Sequence, residues 1–222
     1  MTKMSFRKIV WVTVFGITMG YFEASVVVYL RALFYPRGFS FPLVIVPSLA
    51  LYVELGRELM SLGMILAVAA LAGRTFLERF SLFCYVFGVW DVFYYAFLKL
   101  TLDWPASLAE WDILFLLPVP WVGPVWAPVL CSLCFIAAGI LVVRAEDRGR
   151  PLRPDRLEWS LAILGSLIII ISFCEEFQDI MAHKMPRSFA WPLFLLGLGL
   201  GIASFVRAYL RALGHFKMKN VK

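Results

Sequence analysis

Apolar residues in this chain fall into long runs broken by short polar stretches, and the length of those runs sets the first inference. A helix rising about 1.5 Å per residue needs about 20 residues to cross a hydrocarbon core about 30 Å thick. Runs at 9–30, 47–73, 80–101, 125–143, 158–180 and 189–208 reach that length. The pattern predicts an all-α integral membrane protein with about six transmembrane helices, forming one polytopic domain over residues 1–222. Asp155 followed by Glu158 reads as a capping box that starts the fifth span, and Ser188 with Pro192 suits the start of the sixth.

Two apolar stretches are too short to cross. Phe41–Val46 is expected to lie along the interface ahead of the second span. Ile113–Pro124 follows a Ser107-Leu-Ala-Glu110 box that predicts a short helix, and Pro118, Pro120, Pro124 and Pro128 then interrupt it. The expectation is a short Pro-rich element, re-entrant or interfacial, before the fourth span.

Composition agrees with the hydropathy pattern. Of the 222 residues, 62% are hydrophobic and 16% charged, against about 25% charged in a soluble domain. A soluble chain of this size has too little interior to hide so much apolar surface. Cys84, Cys131, Cys134 and Cys174 all sit inside apolar runs, which excludes a secreted-type disulfide framework. Cys131-x-x-Cys134 reads as small packing residues. The first run is too long for a signal-peptide core and reads as an uncleaved span.

The net charge of +6 resides in clusters between apolar runs. No basic stripe with interleaved aromatics is present, so nucleic acid is not an expected partner. With both termini on one side, fifteen of the 21 Lys and Arg residues share that side, which the positive-inside rule makes cytoplasmic. The expected location is a prokaryotic cytoplasmic (inner) membrane, with the basic loop 144–156 on anionic lipid headgroups. Gly197-x-x-x-Gly201 predicts close helix packing, within the chain or across a homodimer.

Acidic residues inside the spans carry the candidate chemistry. Burying a charge at the bilayer centre costs about 2.5–3.5 kcal/mol, so each needs a partner, water or a function. Counted along the helices, Glu23, Glu54, Glu58, Asp91 and Glu176 all fall in the outer half or near mid-membrane, while the inner halves are free of charge. Glu54, Glu58 and Ser61 share one helical face, and Asp91 shares one with Tyr95. Glu23 lies on the Gly16/Gly20/Ala24 ladder and is expected to face protein. On a continuous fifth span, Ser172, Glu176, Asp179 and His183 would line one face. Arg57 is the expected partner of Glu54 or Glu58, and Trp121 the expected pocket aromatic.

Candidate binding residues are thus Glu23, Glu54, Arg57, Glu58, Asp91, Tyr95, Trp121 and Glu176. Glu54, Glu58, Asp179 and His183 form a candidate site for a divalent metal ion, since carboxylates and one imidazole suit iron or manganese. The expected function is capture of a small cationic solute or metal ion in an outward-facing acidic and aromatic pocket, as a transport component with a partner membrane subunit. One alternative is a membrane-embedded acid–base or metal-dependent enzyme acting on a lipid-linked substrate, with Arg57 or Lys99 on an anionic headgroup. A second is an accessory subunit of a membrane complex.

Overall fold

The computed structural model describes residues 2–44 and 47–219. Its helices are α1 (Lys3–Phe34), α2 (Ser48–Ala72), α3 (Phe76–Leu102), α4 (Trp126–Asp147), α5 (Arg156–Cys174), the short α6 (Phe177–Met181) and α7 (Trp191–Lys219). Between α3 and α4 lies an antiparallel hairpin, β1 (Trp111–Phe115) and β2 (Trp121–Pro124). Among the described residues six segments are long and apolar enough to cross a membrane, and the chain is a polytopic helical membrane protein.

Local chemistry explains the helix starts. The Thr2 side chain accepts from the Ser5 amide, and Thr75 from the Glu78 amide. Asp155 and Glu158 form the full capping box on α5. Ser188 does not cap α7, which begins at Trp191 with Pro192 in its first turn. Helix α3 is the hub: it packs on α1 and α4, and less extensively on α2. Small residues permit the approach. A Cβ on Gly20 would lie 2.9 Å from the Trp90 carbonyl oxygen, and one on Gly88 would lie 2.6 Å from that of Ser132. Helices α5 and α7 form a separate pair, with Gly165 and Gly197 back to back. Gly197 is therefore used inside the chain.

Two further expectations are overturned. The first is the short helix after Ser107. Those residues form turns, and the Pro-rich stretch pairs as a hairpin, with Trp111 opposite Pro124 and Ile113 opposite Val122. Pro118 and Pro120 fall in the connection between strands, where their missing N–H groups cost no ladder bond. The hairpin also continues toward α4, with the Val125 amide on the Glu110 carbonyl at 2.9 Å. The second is the continuous fifth span. Helix α5 stops at Cys174, a turn through Glu175 and Glu176 intervenes, and His183 sits in the left-handed region with φ 52°. The face expected to join Ser172, Glu176, Asp179 and His183 is therefore broken. Phe41–Val44 is irregular chain, and Ile45 and Val46 lie outside the described residues.

Candidate functional site

A cavity of about 680 Å³ lies among the helices at the hairpin end. Helix α1 contributes Glu23 and Arg31, α2 contributes Glu54, Arg57 and Glu58, and α3 contributes Asp91, Tyr94 and Tyr95. Strand β1 adds Asp112, and β2 adds Trp121. Five carboxyl groups thus face two guanidinium groups around one space.

Each charged group has a definite anchor. Arg57 bridges two helices: its guanidinium pairs with Glu54 at 2.7 Å and with Glu23 of α1. Glu23 is 3% exposed and also accepts from the Ser61 hydroxyl. The two glycines of its ladder, Gly16 and Gly20, press on α3, which turns Glu23 inward. Glu58 accepts the Leu116 amide through both carboxylate oxygens, at 2.9 and 3.0 Å, and so fastens the hairpin tip to α2. The Ser132 hydroxyl of α4 donates to Asp91 at 2.8 Å.

Arg31 and Asp112 form the second ion pair, at 3.3 Å and buried on both sides. The guanidinium lies 3.7 Å from the Trp104 ring centroid and 4.5 Å from that of Phe39, a cation–π arrangement on two sides. The Tyr94 and Tyr95 phenols lie within hydrogen-bonding reach of the Asp112 carboxylate. The indole N–H groups of Trp90 and Trp121 are buried without a partner. Buried polar atoms are normally paired, so these two cavity-lining groups are donors left for an occupant.

The cavity gathers most of the residues expected from sequence, but not all. Glu23, Glu54, Arg57, Glu58, Asp91, Tyr95, Trp121 and His183 line it. Glu176 does not: its carboxylate accepts the Arg187 amide at 3.2 Å, beyond the break after α5. Asp179 is also elsewhere, paired with Lys184 and Arg187, each at 3.3 Å. Lys99 pairs with Asp103 on an exposed helix end. Among the described residues no three His, Cys, Asp or Glu side chains converge as metal ligands. The metal set Glu54, Glu58, Asp179 and His183 is therefore not assembled. Glu58 is spent on the hairpin, and His183 Nδ1 lies 3.1 Å from the Leu43 carbonyl oxygen.

Arg31, Asp112, Phe39 and Trp104 were missed by the sequence reading. Arg31 counts as a loop cation at the end of a span, and its partner lies 81 residues away. The available signal was Asp112, a lone acid inside the apolar stretch from Trp111 to Trp121.

The arrangement suits electrostatic capture of a cation between carboxylates and aromatic faces. No protein-family model, curated protein or solved structure matches this chain.

Proposed function

We propose that the cavity binds a small organic cation bearing apolar surface, and that the protein serves as the solute-capturing part of a membrane transport system. The excess of carboxyl groups over guanidinium groups around one aromatic-walled cavity carries this reading. Glu23 and Glu54 share Arg57, and Asp112 holds Arg31, so an added positive charge would complete the balance for Asp91 and its neighbours. The distribution of Lys and Arg supports an orientation with both termini cytoplasmic and the cavity outward. The uncharged inner halves of the spans, such as Leu82–Val89 and Leu161–Ile171, argue for a partner subunit in any transport step.

Equilibrium dialysis of 2-phenylethylammonium against the protein in lipid nanodiscs tests the reading. Saturable binding weakened at least tenfold in Asp91→Asn supports it. Binding unchanged in that variant removes the carboxylates from the site and sinks the proposal.

A second reading, an acid–base enzyme on a lipid-linked substrate, draws on Asp91 lying near the phenols of Tyr94 and Tyr95. Turnover of an added lipid would favour it over capture.

A further inference from the structure

The cavity has two unlike walls. Helices α1–α3 with Asp112 supply the charged side. The other side is hydrocarbon and aromatic, built from Phe115, Phe135, Ile169, Ile170 and Phe173. Phe115 stacks on Phe87, and Trp121 stacks on Phe173, so this wall is continuous with the aromatic core. It also runs deep. Phe135 lies nine residues into α4 and Ser166 eight residues before the end of α5, about 12–14 Å from those helix ends. That is close to the middle of a hydrocarbon layer about 30 Å thick. A small hydrated cation has no use for such a wall.

The same two walls leave a lateral seam. Among the described residues α2 packs on α3 and slightly on α1, while α5 packs on α7 and β2. Helices α2 and α5 line one cavity without packing along each other. At the hairpin end the seam is bridged by His183 Nδ1 and the Leu43 carbonyl oxygen at 3.1 Å. Below that bridge, Leu51 of α2 and Ser166 of α5 are exposed and also line the cavity.

We infer that the occupant is an amphiphile drawn from the bilayer: a long-chain amine whose ammonium group sits among the carboxylates and whose hydrocarbon chain passes out between α2 and α5. The inference rests on the cation reading above and specifies its ligand. The charged wall matches the headgroup, the apolar wall matches the first part of the chain, and the seam lets the remainder stay in lipid. A chain that passes from lipid to this apolar wall stays out of water throughout, which suits a hydrocarbon tail and not a short hydrated group.

Photolabelling tests it. A dodecylammonium analogue with a mid-chain diazirine is irradiated with the protein in nanodiscs, and the labelled peptides are mapped. Label is expected at Leu51, Ser166 or Ile170, competed by excess dodecylammonium and reduced at least tenfold in both Ser166→Trp and Leu51→Trp. These two variants sit on opposite rims, so misfolding of one leaves the other to decide.

Label confined to outward residues such as Leu71 and Leu100, which are 88% and 78% exposed, and insensitive to both rim variants overturns the inference. If butylammonium still binds in a carboxylate-dependent way, the cation reading survives that result. Failure of both butyl- and dodecylammonium to bind sinks the two together.

Discussion

The Glu58 carboxylate takes the Leu116 amide on both of its oxygens, at 2.9 and 3.0 Å, and so joins the middle of α2 to the tip of a hairpin 58 residues away. A buried N–H without an acceptor costs about 1–3 kcal/mol. Glu58 is therefore a docking group, and it fixes where the hairpin places Phe115, Trp121 and Asp112. Glu58→Ala should cost about 1–3 kcal/mol of stability, read as a lower thermal midpoint in detergent, and open residues 116–120 to protease. Unchanged protease resistance would show that the hairpin holds its place without α2.

Arg57 ties Glu54 to Glu23 across α1 and α2. Removing one partner of a buried pair leaves the other charge uncompensated, at a cost of about 3–5 kcal/mol. Arg57→Met should therefore destabilise strongly, and adding Glu23→Gln should recover part of the loss. A double-mutant cycle on thermal melts reads the coupling, and strict additivity would deny that the two side chains interact.

The α5–α7 contact depends on missing side chains. A Cβ on Gly165 would lie 2.6 Å from the Gly197 carbonyl oxygen, whereas one on Gly199 meets nothing within 4 Å. Gly165→Val should cost about 1–3 kcal/mol by forcing the helices apart. Gly199→Ala should be neutral or slightly stabilising, since alanine is the better helix former. Equal melting curves for the two variants would contradict the packing.

At the opposite end, Asp155 ties the start of α5 to α7. The Glu158 backbone amide donates to its carboxylate, and Arg211 and Arg207 lie beside it, so its pKa falls below the ordinary 3.8. A carboxyl depressed in the folded state adds stability above its unfolded pKa and loses it as pH drops through the folded value. Melting temperature measured from pH 7 down to pH 3 should therefore fall more for the wild type than for Asp155→Asn. Parallel curves would remove this group from the acid response.

The spans were readable because about twenty consecutive apolar residues leave a helix as the economical way to satisfy the backbone in lipid. The Asp155–Glu158 box was readable because capping is local. Glu23 was placed correctly because Gly16 and Gly20 mark the side of α1 that must meet another helix. The hairpin was not readable. A Pro-interrupted apolar stretch resembles a broken helix, and the acceptor that positions its tip is Glu58 on another element. Arg31 was hidden for the same reason, since Asp112 and Trp104 reach it only through the fold. The break after Cys174 had a local trace in Glu175 and Glu176, two acids side by side that helical periodicity alone passes over.

The proposed capture turns on selection for positive charge. Titration calorimetry on the nanodisc-embedded protein, comparing 2-phenylethylammonium with its neutral isostere 2-phenylethanol, measures that selection directly. The ammonium ligand is expected to bind at least tenfold more tightly, and Glu54→Gln with Asp91→Asn to narrow the ratio. Equal affinity for the two ligands in the wild type would contradict that selection and leave an apolar cavity whose acids serve the fold alone.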